Sequence, residues 1–282
     1  MTPALRRAAL MAPGLGWLAL FLLVPCLLVF ALSFFERGLY GGVDYVFTLE
    51  NYRRALEPLY RSILINSAWL ALLATFVSAL IGYPAAYAIA KAPARWQSAL
   101  LVLVMLPFWS NYLIRTYAWI VLLNREGLIN RALAELGATQ PLPLLYNDFA
   151  IVLGLVYGYL PFMVLAIYAS LSRLDPALLE QSADLGASAI STFLRITLPL
   201  TLPGLAAGSV FVFVLSIGNF ITPDLLGGGR RLMVGNLIYK QFLSARDWPF
   251  GSSLAFLLIA LMMLLLFAQA VLVRRSGGER PA

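Results

Sequence analysis

Runs of about 20 apolar residues recur along this chain, each long enough at roughly 1.5 Å per residue to cross the ~30 Å hydrocarbon layer of a membrane. Nothing else in the sequence restricts the fold as sharply. A segment in lipid must satisfy its own backbone polar groups, and a lone helix does this where a lone strand does not. Six segments qualify: about Gly14–Phe35 (interrupted by Pro25), Ile63–Ile89, Ala99–Leu123, Phe149–Leu171, Leu205–Leu226 and Leu254–Val273. The expected fold is therefore all-α, a polytopic membrane protein with six transmembrane helices in a single domain over 1–282. Composition agrees, because 61% of the 282 residues are hydrophobic and 12% charged, more apolar surface than a soluble domain can hide. Arg6 and Arg7 precede the first run, which is long for a signal-peptide core and lacks a small-residue cleavage site, so it is read as an uncleaved span.

Twenty basic residues against 13 acidic give a net charge of +7. On a soluble protein that balance would point to nucleic acid. Here it points to arginines at span ends facing anionic lipid headgroups, with no nucleic-acid partner. Arg6-Arg7, Lys91 with Arg95, and Arg274-Arg275 all flank spans on one side, which predicts cytoplasmic termini and a cytoplasmic loop at 172–204. The longer loops around Arg53-Arg54, Arg125–Arg131 and Arg230-Arg231 also carry arginine, but long loops translocate largely regardless of charge.

Catalytic signatures are missing. The sequence has no histidine, one cysteine (Cys26) and only two lysines, Lys91 and Lys240. A disulfide within the chain, a zinc site of the usual Cys/His kind, a histidine base and a phosphate-cradling G-x-x-x-x-G-K-[ST] loop are all excluded. The expectation is a non-enzymatic chain without a cofactor or metal of its own, with any ATP and Mg handled elsewhere.

The loop 172–204 is punctuated rather than polar. Asp175-Pro176 reads as an N-cap followed by proline at the first helical position. Ala177 to Gly186 suits a short helix that Gly186 ends, and a second amphipathic turn presents Ile190, Phe193, Leu194 and Ile196 on its apolar side. Leu198-Pro199 and Pro203-Gly204 then mark the way into the next span. Other polar features lie in or beside the spans. Pro107 to Tyr112 breaks the third, exposing Trp109, Asn111 and Tyr112, with Arg115 following; Arg115 either lines a solute path or snorkels to an aromatic interface belt. Tyr157 to Phe162, which includes Tyr159, breaks the fourth. Asn219 and Asp224 flank Thr222-Pro223 near the outer end of the fifth, where an acid either attracts a cation or is ordinary helix-end hydration. The pairs Gly154/Gly158 and Gly204/Gly208 are G-x-x-x-G spacings that suit close helix approach. Tyr40–Ser62 contains a short amphipathic helix around T-L-E-N-Y-R-R-A-L, and Gly127–Asp148 carries Leu128, Ile129, Ala132, Leu133 and Leu136 at helical spacing.

The segment E-Q-S-A-D-L-G followed by I-T-L-P, with Glu180, Gly186, Ile196, Leu198 and Pro199 at the matching positions, resembles the EAA loop of binding-protein-dependent ABC importer permeases. Gln181 and Ser182 stand where that pattern has two alanines. L-P-F-W-S-N-Y-L-I-R-T-Y-A-W, Y-L-P-F-M-V-L, Leu225-Leu226-Gly227-Gly228 and Arg246-Asp247-Trp248-Pro249-Phe250 extend the likeness to the spermidine/putrescine permeases of that family, over about Asn51 to Leu272. The resemblance implies a type I ABC importer permease in a bacterial inner membrane. It implies a second permease subunit, two copies of an ABC ATPase that hold the ATP and Mg, and an extracytoplasmic solute-binding protein. The ATPase would engage Leu178, Glu180, Asp184, Leu185, Gly186, Ala187 and Pro199. Trp109, Asn111, Tyr112, Tyr159, Asn219 and Asp224 would line the solute path, and Arg230, Arg231, Arg246 and Asp247 would meet the binding protein. The solute would be a polyamine or another small organic molecule. A channel or secondary carrier would need intramembrane acids or a filter, and neither is visible.

Overall fold

The computed structural model describes residues 11–14, 16–137, 139–229 and 231–277. The chain forms α1 (Met11–Leu32), β1 (Phe35–Arg37), β2 (Val43–Phe47), α2 (Glu50–Ala55) and α3 (Pro58–Lys91). Then come α4 (Ala94–Met105), a tight 3₁₀ turn at Leu106–Trp109, α5 (Tyr112–Leu123), α6 (Leu128–Glu135) and α7 (Asp148–Leu171). The remainder is α8 (Pro176–Asp184), α9 (Ala189–Ile217), α10 (Ile221–Leu226), α11 (Val234–Leu243) and α12 (Trp248–Gly277). Five of these helices, α1, α3, α7, α9 and α12, are long and apolar enough to span a membrane. The expected third span is not one rod: 94–109 and 112–135 are bent 83° from each other. Pro107 opens the 3₁₀ turn and Asn111 caps a new helix, accepting from the backbone N–H of Leu113 at 2.8 Å, so the bend is written into the residues that interrupt the run.

The fifth span is corrected as well. It begins at Ala189 and ends at Ile217, and 221–226 is a separate short helix, so the expected Leu205–Leu226 is displaced toward the N-terminus. Leu198-Pro199 and Pro203-Gly204 do not separate a loop from a span. The helix runs through them with a π turn at Phe193–Thr197. A proline removes a backbone donor and crowds the carbonyl four residues before it, and a widened turn ahead of Pro199 relieves that crowding. Two elements were not foreseen: the β1/β2 hairpin, turned at Gly41 and Gly42 with φ of +90° and +84°, and the helix α11.

The fold packs as two compact units, 1–62 with 237–261, and 63–236 with 262–282. In the first, Asn51 donates to the Ser33 and Phe35 carbonyls at 3.0 and 2.8 Å, fixing the end of α1 and the start of β1. Asp247, 1% exposed, accepts from Arg54 Nη1 at 2.7 Å and from the Phe250 N–H at 3.2 Å, at the start of α12. The Arg54 guanidinium also lies 3.9 Å from the centroid of the Phe250 ring. Burial opposes the Arg54 charge, but the bonds to Asp247 and Tyr60 outweigh it and hold the guanidinium above its ordinary pKa.

In the second unit α7 is the axis, with 61% of its most apolar window buried. Gly204 and Gly208 let α9 lie against α7: a Cβ at Gly204 would overlap Ser170 and the Ala166 carbonyl, and one at Gly208 would strike Met163. Gly154 of the other G-x-x-x-G pair faces Thr222 and Leu226 of α10, and Gly158 faces Tyr112. Tyr83, Ala86, Ile89, Met163, Val164, Ile167, Leu171 and Val212 form the core between α3, α7 and α9. The outward side chains Trp69, Phe76, Leu80, Leu103 and Phe211 are exposed, as suits helices solvated by lipid.

Candidate functional site

Two constructions in the second unit stand apart from simple span packing. The first is the elbow between α7 and α9. Asp175 Oδ1 accepts from the Ala177 N–H at 3.0 Å and Pro176 follows, which sets the start of α8. Its end is a left-handed stop: Gly186 has φ +77°, Gly186 N–H donates to the Ala183 carbonyl at 2.9 Å and Ala187 N–H to the Ser182 carbonyl at 3.1 Å. Ser188 caps the start of α9, accepting from Ser191 N–H at 3.3 Å. Across this corner the buried Ser182 hydroxyl meets Thr192 Oγ1 at 2.7 Å. The serine at an alanine position of the resembling pattern thus ties the two arms together. Phe193 stands edge-on to both Tyr83 and Tyr87 of α3, with centroids 5.6 and 5.7 Å away, and Tyr83 OH bonds Thr201 Oγ1 at 2.7 Å. The corner is therefore keyed into α3 as well as continuous with α9.

The outer face of this elbow is apolar and bare. Leu185 is 88% exposed and Ile190 74%, with Leu178 and Leu194 beside them in sequence also exposed. Glu180 and Asp184 are exposed, Ala187 is half-buried and Pro199 is exposed within α9, just after the π turn. Of the expected coupling residues, none has its side chain committed to the core.

The second construction is a polar knot beside a cavity. Asn219, 9% exposed, donates from Nδ2 to Tyr112 OH and to Tyr159 OH, each at 2.6 Å, and its Oδ1 accepts from the Thr222 N–H at 2.8 Å. Tyr112 OH also bonds Thr222 Oγ1 at 2.5 Å. A cavity of about 440 Å³ opens alongside, lined by Phe108, Tyr112, Tyr159, Val214, Leu215, Gly218, Asn219, Phe220 and Ile221. Its wall is aromatic and amide, with no carboxylate among these residues.

Of the six expected path residues, three converge here: Tyr112, Tyr159 and Asn219. Trp109 is 72% exposed on the 3₁₀ turn, and Asn111 is occupied as the α5 cap, so neither lines the cavity. Asp224 lies half-buried on α10, outside the lining. The four expected binding-protein contacts divide. Arg230 lies outside the described residues. Arg231 sits 3.6 Å from Asp148 at the start of α7. Arg246 is exposed with φ +50°, and its carbonyl accepts from the Gly42 N–H at 2.8 Å. Asp247 is buried against Arg54, so its carboxylate serves the fold. Sequence reasoning missed Phe108, Phe220 and Thr222 as members of the cavity and its knot. Only the aromatic content of L-P-F-W and N-F-I-T hinted at them.

Residues 81–277 match the family described as "Binding-protein-dependent transport system inner membrane component". The chain is 44% identical over 252 residues to the spermidine/putrescine transport system permease protein PotB of Escherichia coli (strain K12), covering 89% of this chain and 92% of that protein. It is 34% identical over 292 residues to the inner membrane ABC transporter permease protein YdcU of the same organism, covering 94% and 91%. Among solved structures, a bacterial ABC transporter involved in import of the acidic polysaccharide alginate superposes with a TM-score of 0.76 at 17% identity, covering 96% of this chain and 97% of that one. That last likeness concerns the fold alone. With the spans, the elbow and the bent third segment in place, the chain belongs to the family of inner membrane components of binding-protein-dependent transport systems, the multi-pass permeases of ABC importers.

Proposed function

We propose that this chain forms half of the translocation path of an ATP-driven importer for a polyamine, working by alternating access. The observation that carries the reading is the elbow: a corner locked from within by Gly186, Ser182 and Thr192, with Leu185 and Ile190 bare on its outer face. Apolar side chains so exposed at the corner between α8 and α9 call for a protein partner. The partner proposed is an ABC ATPase, present in two copies and holding the ATP and Mg. A second permease completes the path, and an extracytoplasmic solute-binding protein delivers the solute. Both termini and the elbow face the cytoplasm in this reading, as the flanking arginines suggest. The chain itself is not catalytic. ATP closes the ATPase pair, the pair moves the elbow, and the movement passes along α9 and through Phe193 into α3. The work is a bias on a two-state bundle.

A polyamine is supported by the 44% identity to a spermidine/putrescine permease and by the aromatic cavity, whose ring faces suit ammonium groups. A second reading keeps the machinery and changes the solute to another small organic molecule; the lack of a carboxylate among the cavity residues favours it. Uptake into proteoliposomes holding the assembled complex, with ATP inside, separates the two. Labelled spermidine, putrescine and neutral solutes are offered with the binding protein. Saturable, ATP-dependent entry of the polyamines supports the first reading, and entry of a neutral solute alone rejects it.

A further inference from the structure

Arg115 is the one strongly basic side chain in α5, and nothing in the proposed movement of the elbow uses it. Its guanidinium carbon lies 5.5 Å from the centroid of Phe108 and 5.4 Å from that of Tyr112. Its Nε is buried and makes no hydrogen bond among the described residues, and none of the ion pairs among those residues includes it. A guanidinium in a span is costly to keep without a carboxylate, and here two aromatic rings stand within cation–π reach of it. The same two rings belong to the wall of the 440 Å³ cavity, where Asn219 is occupied by the Tyr112 and Tyr159 hydroxyls.

We infer that Arg115 is a tethered stand-in for the cationic solute: its guanidinium holds the Phe108 and Tyr112 rings until an ammonium group of the solute displaces it. This rests on the polyamine reading above. The consequence follows from two elementary effects. The resident cation competes for the ring faces, and its charge repels an incoming cation at short range in a medium of low dielectric. Both weaken binding in the path. A path must hold its cargo loosely enough to release it, and a resident positive charge does this without any acid having to change its protonation. Arg115 is thus a specificity-determining residue that lowers affinity in favour of turnover.

The test uses the purified permease–ATPase complex without the binding protein, and measures equilibrium binding of labelled spermidine beside ATP-driven uptake by the full system. Arg115→Gln should bind spermidine about tenfold more tightly and transport it several-fold more slowly at saturation. Arg115→Lys, which keeps the charge, should stay within about twofold of the wild type in both. Arg115→Met, uncharged and of similar length, gives the same readout where the glutamine variant does not assemble. Unchanged or weaker binding in the assembled uncharged variants overturns the inference, as does equal behaviour of the glutamine and lysine variants. Loss of assembly in every variant, lysine included, identifies Arg115 as an interfacial anchor and overturns it too. A wild-type complex that carries no polyamine removes the substrate reading beneath it, and the uptake arm distinguishes that failure from the others.

Discussion

The elbow from Asp175 to Thr197 and the knot around Asn219 are both fixed by hydrogen bonds, but of different reach. In the elbow the bonds close over short distances: Asp175 to Ala177, Ser188 to Ser191, and Ser182 to Thr192 ten positions on. In the knot, Asn219 reaches Tyr159 and Tyr112 across 60 and 107 positions. The elbow presents bare leucine and isoleucine outward, whereas the knot turns its polar groups inward on one another. The difference separates two kinds of work. A corner stiffened from within can be pushed as a body, so damage to it should uncouple the machine and leave the bundle folded. A knot that joins α5, α7 and the link between α9 and α10 sets where they meet, so damage there should loosen the bundle and the path together.

Removing the knot's centre should have the largest effect. Asn219→Leu strands the Thr222 N–H and takes a partner from both tyrosine hydroxyls, of which Tyr112 keeps Thr222 Oγ1; at about 1–3 kcal/mol for a buried group left unpaired, the loss should approach 3 kcal/mol after relaxation. The thermal midpoint of the purified complex should fall by several degrees and uptake should disappear with it. Phe193→Ala acts where the elbow meets α3, because it empties the place against Tyr83 and Tyr87. A loss of about 2 kcal/mol is expected for a half-buried ring making two edge contacts. Here the sharper signature is ATP hydrolysis that continues while uptake falls more than tenfold. Gly186→Val forces a β-branched residue to a positive φ at a cost of roughly 1–3 kcal/mol, with open space around it, so the strain stays in the corner. Uptake and solute-stimulated ATPase activity should both fall while the midpoint of the bundle moves little; a fall in midpoint as large as that of Asn219→Leu would erase the distinction between the regions. Ser182→Ala should be mildest, about 1 kcal/mol for one hydroxyl pair. A modest drop in uptake per ATP hydrolysed would sharpen the view that internal stiffness matters.

The same contrast in reach explains what could be read from residues alone. Asp175-Pro176, Gly186 and the apolar runs act locally, so the elbow and four of the spans lay close to where pattern placed them. Pro199 acts locally too, but its effect is ambiguous: a proline with a free first turn ends a loop, and one after a π turn sits inside a helix. Only the packing of α9 on α7 through Gly204 and Gly208 decides that, and it moved the fifth span's start to Ala189. Tyr112, Tyr159 and Asn219 were each visible as polar groups in apolar surroundings, yet their meeting depends on the 83° size of a bend for which Pro107 and Asn111 set only the place. Asp247 looked like a surface acid because its partner, Arg54, lies 193 positions away. The β1/β2 hairpin was signalled by Gly41-Gly42 among aromatic residues, a turn pattern masked by the surrounding hydrophobicity.

The central claim is that a motor subunit grips the bare face of the elbow, and Leu185→Asp probes it most directly. This side chain is 88% exposed and makes no core contact whose loss could unfold the chain. The account predicts that the ATPase no longer co-purifies with the membrane-inserted variant and that uptake is lost, while the permease keeps its thermal midpoint. An ATPase that remains bound, together with uptake at the wild-type rate, would contradict it.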